Sequence, residues 1–303
     1  MAKTVDPFDA LVKEMGGGRI LVNKEYVTTG ILALDFMLTG YGFRQGSIAE
    51  MYGRWSTGKT VLAMHILANV QRQGFTPVLL DAESAFDDVL AKSVGMDMSN
   101  FIYFPLPEAE CLTIESTFDI IQKLLTDTDR KFIFAVDSLA ALETKDQVEN
   151  PWEGRAAQHT ASTAKRGLRS VRNHIIRSKS VLLVLNQVFK DSLGYDSQSP
   201  GGNAIKHFID YRIQFSTDRR KNSFICKMTT KKNRHLQYPV TIHVEIPYQK
   251  SVDERSGFEK LLLDEKVVRD NELISDVGKI RKAWLAKKDY TGALIASEEE
   301  EEE

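Results

Sequence analysis

The chain has 303 residues, of which 42% are hydrophobic and 27% charged, with a formal net charge of −2. Those proportions exclude a wholly disordered chain and fit one large α/β domain with small appendages. The net charge averages over regions of opposite sign, so it excludes nothing about polyanions, while Cys111 and Cys226, far apart and without metal-like spacing, imply no metal cage and read as two thiols in a reducing, cytoplasmic compartment.

Met1–Ala10 carries two acids and no apolar core of the kind a signal peptide needs, and no run approaches the roughly 18 apolar residues of a membrane span. Secretion and a membrane partner are therefore not expected. Asp6–Met15 predicts a helix of about ten residues, with Pro7 tolerated in the first turn and Phe8, Leu11, Val12 and Met15 on one face. So short a helix is marginal alone, and its stripe must dock on its own domain or on a neighbouring subunit. Gly16-Gly17-Gly18 end it, and polar turns at Thr28–Gly30 lead into the apolar segment Ile31–Leu38.

Ser47–Tyr52 predicts a short buried strand and Val61–Val70 an apolar helix. Between them, Gly53, Gly58, Lys59 and Thr60 satisfy G-x-x-x-x-G-K-[ST], a loop whose backbone N–H groups turn toward a phosphate chain at a helix N-terminus. Gly53, Arg54, Trp55, Ser56, Thr57, Gly58, Lys59, Thr60 and Val61 form the expected nucleotide-contacting stretch. Within it Lys59 meets the β- and γ-phosphates and the Thr60 hydroxyl binds Mg²⁺. A second strand, Val78–Leu80, ends in Asp81-Ala82-Glu83, two carboxylates at the edge where ligands of open parallel sheets bind. Glu83 is a candidate general base for water attacking a γ-phosphate, with a surface-loop carboxylate as the plainer alternative.

Glu108–Leu125 has helical periodicity, with Leu112, Phe118, Ile121 and Leu125 toward a core. Lys131–Leu142 is the most strand-like run and closes on Asp137-Ser138, the form of a Mg²⁺-associated acid opposite Thr60. From Gly154 to Lys190 there is no acid. Ala161, Ala164, Leu168, Val171 and Ile175 make an apolar stripe there, while Lys165, Arg166, Arg169 and Arg172 crowd outside it. A face of one sign favours a polyanion over plain solvation. Val181–Leu185 predicts another buried strand with Gln187 at its tip, followed by the polar loop Val188–Pro200 and Gly201-Gly202-Asn203. Ala204–Asp210 reads as a helix, and Tyr211–Ser216, Phe224–Met228 and Val240–Ile246 as strands. The basic clusters Arg219-Arg220-Lys221 and Lys231-Lys232-Asn233-Arg234 are expected in the connections between them. Past Tyr248 the chain turns to charged helix, with Ile280, Trp284 and Leu285 as its apolar face, and it ends in the self-repelling block Glu298–Glu303.

In this order the stations T-G-x-L-x-L-D (Thr29–Asp35), the phosphate loop, D-A-E-x-A-x-D (Asp81–Asp87), D-S-x-A-A-L (Asp137–Leu142), N-Q (Asn186-Gln187) and G-G-N-A-x-K (Gly201–Lys206) resemble the RecA family of ATP-dependent DNA strand-exchange recombinases. The resemblance covers roughly Phe8–Phe258. It implies an α/β core with a mostly parallel sheet flanked by helices at 29–250, a polymerisation helix and linker at 1–28, a small helical region at 251–297 and an acidic tail at 298–303. It also implies ATP and Mg²⁺ as cofactors, single- and double-stranded DNA as partners, self-assembly into a helical filament, and single-strand-binding and mediator proteins as helpers.

Residue by residue, the resemblance makes Glu83 the group orienting the attacking water and Gln187 the γ-phosphate sensor. Asp87 contacts adenine, Tyr248 covers the base, and Lys232 and Arg234 reach a neighbouring subunit's ATP. DNA contacts fall to Glu149–Gln158 with Arg155, to Val188–Pro200 with Tyr195, to Arg169 on the basic helix, and to Gly201, Gly202 and Asn203. Departures are Arg54-Trp55 where bacterial members usually have Pro-Glu, Leu90 in place of a stacking tyrosine, and His207 in place of an interface phenylalanine. The shorter region after Phe258 suggests a compact, mobile-element member with a reduced duplex-binding module. Two rivals remain: a ring-forming motor on the same core, and a nucleotide-gated mediator with negligible turnover.

Overall fold

The computed structural model describes residues 25–105, 113–150, 156–188, 205–236, 239–248, 251–267 and 277–287. In chain order, β1 (Tyr26–Val27), α1 (Leu32–Leu38) and β2 (Phe43–Arg44) lead into β3 (Ile48–Gly53) and α2 (Lys59–Gln71). Then come β4 (Thr76–Asp81), α3 (Asp88–Ser93), β5 (Ile102–Pro105), α4 (Ile114–Asp127), β6 (Phe132–Asp137), α5 (Lys145–Glu149), α6 (Ala156–Arg177) and β7 (Val181–Gln187). The strands β8 (Tyr211–Arg219), β9 (Ser223–Asn233) and β10 (Thr241–Pro247) and the helices α7 (Phe258–Asp264) and α8 (Val277–Lys287) follow. Tyr26–Tyr290 form one unit, while Met1–Glu25 and Thr291–Glu303 make up another, of which only Glu25 is described. The expected N-terminal helix and glutamate tail thus lie outside the described residues.

Eight strands form one sheet in the order β10-β9-β8-β3-β7-β6-β4-β5. From β8 to β5 every neighbour is parallel, and β9 and β10 add an antiparallel edge. Parallel strands covered on both faces read as continuous apolar runs, which is why Phe132–Val136 and Val181–Leu185 lack alternation. Ile48, Val78, Leu80, Phe134 and Leu182 point to α4 and α6, into a core that also holds Phe118, Ile121, Leu168 and Val171. Strand alternation sends Ala49, Met51, Leu79 and Leu183 the other way, where α2 packs over β3, β4, β6 and β7. Apolar contact around most of its circumference explains why α2 is apolar nearly all round.

α4 begins at Ile114, later than periodicity suggests, because Thr113 caps it. The Ser116 N–H donates to Thr113 Oγ1 at 3.1 Å, and the Thr113 N–H to Ser116 Oγ at 2.8 Å. α4 and α6 approach closely at Gly167, where an added Cβ would stand 2.0 Å from the Phe118 ring. Gly167→Ala is therefore expected to lower stability by about 2 kcal/mol, since a forced ring displacement outweighs the helix propensity gained. An unchanged urea midpoint would contradict that packing.

The antiparallel strands are longer than expected. β8 runs to Arg219 and β9 to Asn233, so Lys231, Lys232 and Asn233 sit on a paired strand and only Arg220–Asn222 form the connection. Ladder pairing, invisible in local composition, carries both strands past their apolar segments. Of the helix expected at Ala204–Asp210, Ile205 and Lys206 are helical, His207 and Phe208 form a turn, and Asp210 already leads into β8. Trp284 on α8, fully buried, meets Phe36 of α1 at 5.7 Å between ring centres, and Phe258 meets the same ring at 4.9 Å. The apolar face read at Ile280, Trp284 and Leu285 thus closes over α1 within the same unit. Beside it, Asp35 is buried and accepts from Thr28 Oγ1, from the Thr29 N–H and from Thr29 Oγ1; burial pushes its carboxyl up to about 6.

Candidate active site

The loop from Gly53 to Gly58 joins the sheet's central β3 to α2. Gly53 has no room for a side chain, since a Cβ would lie 2.5 Å from Phe215 O. Gly58, the residue before α2, has φ +87°, a conformation that favours glycine, and a Cβ added there would lie 2.5 Å from the Phe224 ring. Lys59 is buried and curls back into the loop, its Nζ donating to Arg54 O at 2.8 Å and Gly53 O at 3.2 Å. Burial draws its amine below the ordinary value, while Asp137, Glu83 and Cys226 pull it up. Cys226 lies against the loop, its thiol 3.5 Å from Thr57 O and pushed up to about 12 by burial. Trp55 is 70% exposed at the loop's tip.

The strand ends meet in register: Gly53 is level with Gln187, and Asp81 with Asp137. Thr60 Oγ1 donates to Asp137 Oδ2 at 2.6 Å. Burial pushes the Asp137 carboxyl up to about 6, with Glu83 and Asp81 adding to the rise against the Thr60 bond and Lys59. Glu83 Oε1 accepts from Gln187 Nε2 at 2.6 Å and from Ser138 Oγ. Asp81, the other acid of that strand end, has a structural task that sequence reasoning missed. Buried, it accepts from the N–H groups of Glu83, Ala85 and Phe86 and from the Tyr103 hydroxyl, which fixes the turn that carries Glu83 forward.

These residues fit ATP and Mg²⁺. A glycine-bounded loop with a buried ammonium at a helix N-terminus suits a polyphosphate, and Thr60 with Asp137 offers two adjacent hard oxygens. Among the described residues no group of three or more His, Cys, Asp or Glu could hold a metal. Mg²⁺ here would rest on Thr60, Asp137, water and phosphate oxygens, as this reluctantly dehydrated ion commonly does. Tyr248, half exposed, packs on Phe224 at 5.9 Å and so flanks the loop. Asp87 caps α3, its Oδ1 accepting from the N–H groups of Val89 and Leu90 at 2.8 and 3.0 Å.

On α6, Lys165, Arg166 and Arg169 are exposed while Ala164, Leu168, Val171 and Ile175 are buried. Arg172 departs from that basic face. Its guanidinium grips Asp210 at 2.5 and 3.0 Å and Phe208 O at 3.4 Å, because Asp210 is 4% exposed and needs a counter-charge. Arg172→Gln is thus expected to lower thermal stability and leave affinity for single-stranded DNA close to unchanged; the reverse pattern would restore Arg172 to the DNA face. Lys232 donates to Lys206 O, and Arg234 to His207 O at 2.5 Å, with Asp210 3.2 Å away. Burial and the neighbouring Arg234 hold the Lys232 amine below its usual value. Arg155, Tyr195, Gly201, Gly202 and Asn203 lie outside the described residues.

A buried ion pair also escaped sequence reading. Glu50, fully buried in the middle of β3, receives Arg212 Nε at 2.5 Å and Asn186 Nδ2 at 3.0 Å, while the Arg212 guanidinium stacks 3.9 Å from the Tyr52 ring. It ties β8 and β7 to the strand that carries the loop.

A mostly parallel sheet with a G-x-x-x-x-G-K-T loop on its central strand, and an acid at a nearby strand tip against the loop's threonine, defines the phosphate-loop class of α/β proteins. The family model for the RecA N-terminal domain matches residues 9–253. Protein RecA of Aquifex aeolicus is 32% identical over 212 residues, covering 67% of this chain and 60% of that protein. Protein RecA of Clostridium novyi is 29% identical over 293 residues, covering 91% and 79%. The chain belongs to the RecA family. It matches about three fifths of the length of the Aquifex relative.

Proposed function

We propose that the chain is an ATP-dependent DNA recombinase that assembles head to tail on single-stranded DNA, with Mg²⁺, and pairs that strand with homologous duplex. One observation carries the reading. Lys59, Thr60, Glu83, Asp137 and Gln187 gather at one end of the strands, whereas Lys232 is level with Glu50, about 10 Å along β3 from Gly53, and Arg234 follows Asn233, which is level with Ala49 at the other end. Cations at the far edge serve a second copy's phosphates more naturally than their own. A repeated contact of that kind, if it does not close, builds a helical filament.

In this reading Lys59 neutralises phosphate charge, and Thr60 and Asp137 hold the metal. Glu83 takes a proton from the attacking water, and Gln187, already bonded to Glu83, relays the state of that end to the loop after Val188. Bound ATP with Mg²⁺ supplies the phosphoryl bond whose hydrolysis resets the assembly. Lys165, Arg166 and Arg169 contact DNA phosphates, so binding weakens steeply with salt. Asp87 and Tyr248 complete the nucleotide pocket. Among the described residues no helix is long and apolar enough to cross a membrane.

The test is strand exchange with ATP and either homologous or unrelated duplex. Product from homologous DNA alone is expected. ATP turnover without any product would favour a motor, and DNA binding without turnover a mediator.

A further inference from the structure

Glu50 stands in the middle of β3, shortly before Gly53, and is fully buried in an apolar run. Its Oε2 receives Arg212 Nε from β8 at 2.5 Å, and its Oε1 receives Asn186 Nδ2 from β7 at 3.0 Å. We propose that Glu50, Arg212 and Asn186 are positioning residues for ATP hydrolysis, which fix the tip of β7 so that Gln187 meets Glu83. Their role rests on those proposed above for Glu83 and Gln187.

Stability does not explain the trio. A buried ion pair loses hydration as well as gaining attraction, and apolar residues of similar volume in its place are commonly neutral or stabilising. The residues flanking Glu50 on β3, Ile48, Ala49 and Met51, and those before Asn186 on β7, Val184 and Leu185, are all apolar and buried. Three polar side chains in such surroundings imply a need that apolar packing does not meet. That need is direction: hydrophobic contact is non-directional, whereas a hydrogen bond weakens as its donor swings out of line.

Strand register decides which groups are directed. Glu50 is level with Arg212 on β8, and Tyr52 with Asn186 on β7. Asn186 is therefore the diagonal neighbour of Glu50 on one face of the sheet, within reach of a side chain. Arg212 leans the same way, its guanidinium 3.9 Å from the centre of the Tyr52 ring. One carboxylate thus holds the residue immediately before Gln187, while its partner cation covers the residue immediately before the phosphate loop. Past Asn186 the backbone bond from the Val188 N–H to Gly53 O is long, 3.3 Å. Gln187 Nε2 meets Glu83 Oε1 at 2.6 Å. A displacement of about 1 Å at a reacting group can slow a reaction roughly a hundredfold, so a loosened tip that draws Gln187 off Glu83 slows hydrolysis while Lys59 and Thr60 still bind nucleotide.

Asn186→Leu removes the donor, keeps the size of the side chain and leaves the Arg212–Glu50 pair intact. The full chain carrying it is compared with the unmodified chain for ATP hydrolysis on oligo(dT), well below the melting midpoint. Turnover is expected to fall about tenfold or more, with KM for ATP within about twofold. Unchanged turnover, or a rise in KM alone, overturns the role. Circular dichroism checks folding; if Asn186→Leu folds poorly, Asn186→Ala removes the same donor without the bulk and is read in its place. In a Gln187→Ala background, Asn186→Leu is expected to lower turnover by less than about twofold further, because the contact it supports is already gone. A merely structural tie would lower turnover equally in both backgrounds, and that result overturns the positioning role. Glu50→Leu together with Arg212→Met, which fills the pair's volume with apolar groups, is expected to fold and yet lose turnover to the same extent; full turnover overturns the part given to the pair. Hydrolysis without strand exchange by the unmodified chain would sink the proposed function while leaving these comparisons standing, and no hydrolysis at all would sink both.

Discussion

Lys59→Ala is expected to abolish ATP-dependent assembly on single-stranded DNA and to lower ATP turnover by about a thousandfold, while leaving the melting temperature nearly unchanged. The reasoning starts from where the ammonium sits. Lys59 is buried at the start of α2, bonded to carbonyl oxygens of its own loop, with Asp137 and Glu83 acting on it. Removing it leaves those two carboxylates facing the phosphates without the cation that offsets them, so nucleotide affinity and turnover fall together. The fold survives, because the hydrogen bonds it loses are to loop carbonyls that water or phosphate can reach, and no apolar contact of the core is opened. Filter binding with and without ATP, a phosphate-release assay and a melting curve report on the three expectations separately. Full strand exchange by a folded Lys59→Ala chain would overturn the role given to the loop.

The parts of the fold legible in the sequence are those where one local signal suffices. Apolar runs ending in a polar residue marked β3, β4, β6 and β7, and their tips carry the Glu83, Asp137 and Gln187 that the structure brings together. A parallel sheet aligns strand ends, so a residue at the tip of each run becomes a neighbour of the others without any further information. Pairings across long separations left no such mark. Arg172 and Asp210 are 38 residues apart, and helical spacing alone put Arg172 on the exposed basic face. Glu50 sat unremarked in an apolar run, because only the folded sheet sets Arg212 and Asn186 beside it. Lys232 and Arg234 were placed between strands by their charge, whereas ladder pairing with β8 decides where they lie. The small strand β5 and the helix α3, short and without strong periodicity, were missed; Asp87's cap of α3 was missed with them.

Glu83→Gln is expected to separate binding from turnover more cleanly than any other change. Glutamine keeps the size of the side chain and can still accept from Gln187 and Ser138, so the strand-end geometry should persist. What it loses is the capacity to take a proton, and ATP hydrolysis should fall by about a hundredfold to ten-thousandfold. ATP-dependent binding to single-stranded DNA should remain, and complexes should dissociate more slowly, since hydrolysis is the step that releases them. A phosphate-release assay beside a dissociation measurement on labelled oligonucleotide reads both. Unchanged turnover would make Glu83 a surface carboxylate after all and move the base elsewhere. Loss of DNA binding together with turnover would mean that the Glu83–Gln187 bond holds the DNA-binding conformation itself. That second outcome has a physical basis, because Gln187 lies one residue before Val188, so its hydrogen bond to Glu83 joins the phosphate end of the sheet to the segment that leads into the loop after Val188.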